Sequence, residues 1–162
     1  MARGNGNSTI VIPCCADEVP SKAHEGDACY DLKARCYIDA SEPDLPTGSL
    51  RLLPGHRCLA KTGVRLQLPK GYHAYILSRS GLAWRDGLQV LNAPGVIDEG
   101  YRAEIGVILY NAGMGGVDLK HGQRIAQLAI MKTRPTYLTM ISEDEFKADT
   151  ERGEGGFGST GE

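Results

Sequence analysis

The chain has 162 residues, a formal charge of −2 and 41% apolar residues, the dimensions of one globular domain. That balance excludes a membrane span, since no run approaches the roughly 20 apolar residues one needs, and gives no basic field to attract nucleic acid. The 21 glycines have no Gly-X-Y period, which excludes collagen and leaves open what so much backbone freedom serves.

Met1–Asn7 holds one Arg and lacks the apolar core of a secretory signal, so a cytoplasmic location is expected, or a nuclear one in a eukaryote. Strand-like runs follow at Ser8–Ile12, Arg35–Ile38, Arg57–Thr62, Val64–Leu68, Tyr72–Leu77, Leu88–Leu91, Glu104–Tyr110, Arg124–Met131 and Thr136–Ile141. Each is short and rich in β-branched or aromatic residues. Between them, Lys61-Thr62-Gly63, Pro69-Lys70-Gly71, Ala93-Pro94-Gly95 and Asn111–Gly116 supply the positive or fixed φ that turns require. Strands so closely spaced predict an all-β sandwich or barrel. Two stretches read as helical: Ser80–Asp86, and Ser142–Lys147, where Glu145 stands at the capping-box position after Ser142.

Cys14, Cys15, Cys29, Cys36 and Cys58 are an odd set without a CxxC pair, and the four histidines have no HxH or HExxH spacing. Reduced thiols are expected, and neither a disulfide framework nor a histidine-built metal site. From Thr150 the composition changes, and Glu151–Glu162 carries five glycines and one aromatic, too little to build a core.

That tail contains a literal Gly153-x-Gly155-x-x-Gly158. A dinucleotide fingerprint needs a strand before it and a helix after it, and the sequence offers neither. What remains is chemistry: a string of backbone N–H groups able to cradle an anion, a guanidinium at Arg152 and a flat face at Phe157 on which a base can stack. Ser78-Arg79-Ser80-Gly81 offers a second, compact phosphate contact. A third constellation, Asn92 to Glu104, reads as a hairpin leading into Ile105–Tyr110. In it Asp98 follows an apolar pair and can serve as a general base for water, although such an Asp more commonly serves only as a turn residue. Asp31 adds a carboxylate of the kind that helps place a triphosphate-bound Mg2+.

In order, Asp27–Ala34 (DACYDLKA), Arg79–Ala83 (RSGLA), Asn92–Glu104, Gly122–Gln127 (GQRIAQ) and Arg152–Gly161 (RGEGGFGSTG) resemble the five signature motifs of the trimeric dUTP pyrophosphatases, or dUTPases. The resemblance runs from about Ala23 to Gly161. It implies an all-β, jelly-roll-like distorted β-barrel with one short helix over residues 1–150. A Gly-rich lid would follow over residues 151–162, and a homotrimer would share its active sites between subunits.

It also implies roles by position. Asp98 would deprotonate the water that attacks the α-phosphorus of dUTP, giving dUMP and pyrophosphate. Asn92 and the backbone of Gly95, Val96 and Ile97, with Gly106 nearby, would read uracil. Tyr101 would pack under the deoxyribose and exclude a 2′-hydroxyl. Arg79, Ser80, Gly81 and Gln127 would hold phosphates, and Asp31 would reach Mg2+ through water. Arg152 would clamp the triphosphate, Phe157 would stack over the base, and Gly158, Ser159 and Thr160 would close on the phosphates. No nucleic acid or membrane partner is implied.

Four positions depart from the family pattern: Cys29 and Ala103, where glycine is usual, Ser78, where proline is usual, and Gln123, where an acidic residue is frequent. Two alternatives share the fold: a dCTP deaminase, alone or combined with the pyrophosphatase, and a non-catalytic nucleotide-sensing or protein-binding relative.

Overall fold

The computed structural model describes residues 9–146. In chain order these form β1 (Cys14–Cys15), β2 (Tyr30–Lys33), β3 (Cys36–Asp39), β4 (Ser49–Leu52), β5 (Arg57–Lys61), β6 (Arg65–Leu66), β7 (Tyr72–Ser78), α1 (Ser80–Asp86), β8 (Leu88–Val90), β9 (Gly95–Ile97), β10 (Gly106–Asn111), β11 (Val117–Lys120) and β12 (Arg124–Lys132). In β10 every second residue is buried, namely Val107, Leu109 and Asn111, the period of a strand with one face on a core. β12 breaks that period by burying both Ile125 and Ala126. Its ladder to β2 shifts register between Arg124 and Ala126, a bulge that turns adjacent side chains inward together.

All pairings are antiparallel. One sheet has the order β3-β5-β10-β8, the other β2-β12-β7-β9, and two ribbons, β1-β6 and β11-β4, flank them. Ile76 and Leu128 from one sheet and Val107 and Leu109 from the other belong to a single buried cluster. The all-β expectation holds, with a correction to its closure. Among the described residues each large sheet keeps two edge strands, so the hydrogen bonds do not run round a closed ring. The sheets close over one core as facing layers.

The segment from β7 to β10 crosses between the two sheets three times: through α1, through residues 91–94, and through residues 98–105. The candidate residues gather on these crossings. The expected hairpin within Asn92–Tyr110 is therefore corrected: β9 pairs with β7, while β10 pairs with β5 and β8. Helix α1 has the expected bounds. It ends at Gly87 in the left-handed region (φ 68°), whose N–H returns to the carbonyls of Ala83 and Leu82. A side chain at Gly87 would put its Cβ 2.5 Å from the Gly113 nitrogen, so this close approach of two backbones requires glycine.

Other expectations shift. Among the described residues, strand pairing at the N-terminus begins at Cys14 and not within Thr9–Ile12, while Ser8 lies outside them. Thr136–Ile141 forms no strand and pairs with none, with Tyr137, Leu138 and Met140 at 97–103% exposure. β-propensity makes a strand only where a partner edge exists. The helical reading of Ser142–Lys147 is corrected: its described part makes a turn and not a helix, although the cap contacts form, with the Ser142 N–H and hydroxyl both donating to Glu145 Oε2 at 2.9 Å. Lys147 lies outside the described residues. Strands β1, β2, β4, β9 and β11 fall outside the runs that the sequence pattern marks. In the last two-stranded ribbon, Asp118 lies opposite Arg51 and accepts from it at 2.7 Å.

All five cysteines are free, and burial pushes the Cys58 thiol up to about 12. Asn111, fully buried, donates to the carbonyls of Leu52 (2.9 Å) and Gly115 (2.8 Å) and accepts from Gly113 N–H (2.8 Å). A buried amide so satisfied fixes the Asn111–Gly116 turn against β4.

Candidate active site

The described candidate residues form two clusters, one on the β2-β12-β7-β9 sheet and one between β7, β9 and the β8 and β10 strands of the other sheet. The first is at the end of β7. In the ladder Gln127 of β12 stands between Asp31 of β2 and Leu77 of β7, and Arg79 and Ser80 follow directly where α1 begins. Asp31 is only 9% exposed. Its two oxygens face two guanidiniums: Arg79 Nε at 3.4 Å and Arg124 Nη1 at 2.9 Å. Arg79 also donates to the Arg124 carbonyl at 2.9 Å. A carboxylate so placed orients both arginines, and their remaining N–H groups stay available for an anion. Ser80 and Gly81 are exposed, and no side chain caps the helix that they open.

The second cluster surrounds a cavity of about 160 Å3 lined by Ile76, Val90, Asn92, Gly95, Val96, Ile97, Tyr101, Gly106 and Val107. Asn92, Gly95, Val96, Ile97, Tyr101 and Gly106 were all singled out from sequence, and Asp98 follows Ile97 directly. The walls explain the small residues. A Cβ on Gly95 would sit 3.3 Å from Asn92 Nδ2 and 3.4 Å from Ile76 Cβ, narrowing the space between them. The Ala93–Pro94 peptide is cis. Asp98 is exposed, and its carbonyl accepts the Tyr101 N–H at 3.0 Å. The Tyr101 hydroxyl donates to the Glu104 carbonyl at 2.9 Å. Burial alone would raise the Glu104 carboxyl. The Gly63 N–H and the Lys61 ammonium outweigh it and hold that group below the usual carboxylate range.

Asp98, next to Ile97, lies well away from Arg79 along the sheet of its own chain. Ile97 pairs with Ala74, and Ala74 lies five residues from Arg79 along β7. At ~3.3 Å per residue that is roughly 16 Å of strand. Arg152, Phe157, Gly158, Ser159 and Thr160 lie outside the described residues.

Among the described residues, no group of three or more His, Cys, Asp or Glu is placed to hold a metal ion. Both Asp31 oxygens already face arginines. A divalent cation would therefore suit this site as one brought in on phosphate oxygens, with its remaining ligands water, and not as one held in an all-protein cage.

Three residues with structural parts to play received no role from sequence. Arg124 stood inside a quoted motif, but its partner Asp31 is 93 residues away. Ser78, which departs from the family's proline, accepts the Val90 N–H on its Oγ at 2.8 Å and so ties β8 to β7. Glu104 gave no signal beyond ending the third motif.

The family model described as dUTPase matches residues 16–161. The chain belongs to the dUTPase family. Among curated dUTPase relatives, the deoxyuridine 5'-triphosphate nucleotidohydrolase of Clostridium novyi is 44% identical over 143 residues, 88% of this chain and 90% of that one. The enzyme of the same name from Cutibacterium acnes is 43% identical over 155 residues, 94% and 92% of the two chains. Among solved structures, the Staphylococcus bacteriophage 80alpha dUTPase with dUpNHpp superposes with a TM-score of 0.75 at 26% identity, covering 94% of this chain and 99% of that one. The dUTPase of Staphylococcus aureus phage phi11, described as coordinating a structural Mg(II) ion, shares the fold with a TM-score of 0.69 at 22% identity, covering 85% and 100%.

Proposed function

We propose that this protein is a dUTP diphosphatase, hydrolysing dUTP to dUMP and pyrophosphate. It thereby keeps uracil out of DNA and supplies dUMP for dTMP synthesis. The observation that carries the reading is the cavity bounded by Asn92, Gly95, Val96, Ile97, Tyr101 and Gly106, with Asp98 the next residue after Ile97. A pocket of about 160 Å3 suits a single pyrimidine ring. Walls built from backbone and one amide can offer fixed donors and acceptors to its edge. In this reading Tyr101 packs under the deoxyribose, and Asp98 orients a water and takes its proton as the water attacks the α-phosphorus. Arg79, Ser80, Gly81 and Gln127 hold the phosphates. Mg2+ on the triphosphate supplies charge neutralisation, with Asp31 contacting it through water. Arg152 clamps the triphosphate, Phe157 stacks on the base, and Gly158, Ser159 and Thr160 close on the phosphates, so that residues 151–162 act as a lid on the domain of residues 1–150. The rate then comes from positioning and charge neutralisation.

The separation of the two clusters supports a homotrimer with its sites between subunits. Asp98 and Arg79 must act on one triphosphate, yet they lie towards opposite ends of β7. The unpaired segment with Tyr137, Leu138 and Met140 almost fully exposed is apolar surface that gains by being covered. No helix among the described residues is long and apolar enough to cross a membrane, and the reading places the enzyme in the cytoplasm, or in the nucleus of a eukaryote. Pyrophosphate release with Mg2+ from dUTP, dCTP, dTTP and UTP tests the proposal. It expects dUTP alone to turn over efficiently. Ammonia from dCTP would favour the deaminase, and no turnover of any nucleotide would favour the non-catalytic relative.

A further inference from the structure

Glu104 joins the pocket wall to the turn between β5 and β6. Its carboxylate is divided between two partners: Oε1 accepts the Gly63 N–H at 2.7 Å, and Oε2 lies 3.1 Å from Lys61 Nζ. Its side chain is 25% exposed, so these contacts are partly shielded from solvent. The next residue is fastened to the same turn, with Thr62 Oγ1 donating to the Ile105 carbonyl at 2.7 Å and the Ile105 N–H donating to Val64 O at 2.8 Å. The Glu104 carbonyl in turn accepts the Tyr101 hydroxyl at 2.9 Å. A chain of bonds thus runs from the β5–β6 turn through Glu104 to the tip of the phenol. The other end of the Tyr101 turn is closed by its N–H on the Asp98 carbonyl.

We infer that Glu104 is a specificity-positioning residue. By pinning its own backbone to the Lys61–Gly63 turn, it fixes where the Tyr101 ring lies and hence how little room remains at the 2′ position of the sugar. The inference rests on the reading that Tyr101 packs against the deoxyribose. Discrimination by exclusion depends on a wall that does not yield. A ring held only by its χ angles moves aside for one hydroxyl, whereas a ring tethered at its hydroxyl does not. Loss of the tether therefore relaxes selection against the ribonucleotide more than it slows reaction of the deoxyribonucleotide.

The test is the ratio of kcat/KM for dUTP to that for UTP. A merely structural defect lowers the amount of active enzyme equally for both substrates and leaves the ratio unmoved. Tyr101→Phe keeps the ring and both Glu104 anchors but breaks the hydroxyl bond. Glu104→Ala removes both anchors, and Glu104→Gln keeps an acceptor for the Gly63 N–H. The ratio should fall about five- to tenfold in Tyr101→Phe and Glu104→Ala, the size of one lost hydrogen bond. It should be largely restored in Glu104→Gln, and it should fall furthest in Tyr101→Ala. A wild-type ratio in Glu104→Ala, whatever Tyr101→Phe shows, with Tyr101→Ala lowered, overturns the positioning role and leaves the sugar reading standing. A wild-type ratio in Tyr101→Ala overturns the sugar reading and this inference with it.

Discussion

At the Arg79 end of β7, charge is held by charge: a nearly buried Asp31 fixes two guanidiniums, one at the start of β12 and one just beyond β7. Towards the other end, where β9 pairs with Ala74, the cavity is walled by glycine backbone, an amide, aliphatic groups and one phenol. The difference follows from what each end is proposed to recognise. Phosphates are read by strong, directional cations, and these need a rigid counter-charge so that they do not collapse onto each other or into solvent. A neutral pyrimidine is read by shape and by donors and acceptors that cannot reorient, for which backbone is best. The first arrangement comes from long, central strands with a bulge at Arg124. The second comes from a chain that passes repeatedly between sheets.

The sharpest way to break this comparison is to disable each end separately. Asp98→Asn should lower turnover by about 10²–10⁴-fold, the usual contribution of a general base, while nucleotide binding measured by calorimetry persists. Arg79→Ala should lose activity chiefly through phosphate binding. If the two ends of different subunits meet, mixing and re-forming trimers of the two inactive proteins should restore activity, because random assortment gives about a quarter of the sites both intact groups. Mixed trimers with no recovered turnover would mean that each chain supplies both groups to its own site.

A smaller effect is expected at the charged end alone. Asp31→Asn keeps the shape but leaves both guanidiniums without their counter-charge. KM for dUTP should rise more than kcat falls, and the urea midpoint should report a loss of about 1–3 kcal/mol. Unchanged KM and stability with an altered Mg2+ dependence would assign Asp31 to the cation and not to the arginines.

The two ends were unequally legible in the sequence. The residues of the cavity lie within one stretch, Asn92–Gly106, apart from Ile76, Val90 and Val107, so a local motif nearly contains it. Its true partner strand was not legible, because β9 pairs with β7 through a long-range choice that turn chemistry does not encode. The carboxylate of Asp31 was noticed for its chemistry. Its arginines could not be, since that clamp exists only once β2 and β12 are side by side. Helix α1 was read with its final bounds because its stop signal, Gly87, is local. Thr136–Ile141 reads as a strand from composition alone, yet it pairs with no edge among the described residues of its own chain.

The smallest effect concerns the support behind the cavity. The Glu104 carboxyl is held below its ordinary value of 4.5 by the Gly63 N–H and the Lys61 ammonium, against the burial that would raise it. In the unfolded chain that carboxyl has no such partners. A group whose folded value is depressed contributes its stability in full above the unfolded value, and loses it as pH falls through the folded one. Wild type should therefore exceed Glu104→Gln in Tm at pH 7, with the gap narrowing once the pH drops below about 4.5. Because the side chain is partly exposed, salt should shrink the ion-pair part of that gap at neutral pH and leave the Gly63 hydrogen bond untouched. Thermal melts of the two proteins from pH 7 to pH 3, at low and high salt, separate these parts. A gap that stays constant across that pH range would show that Glu104 holds the β5–β6 turn without using its charge.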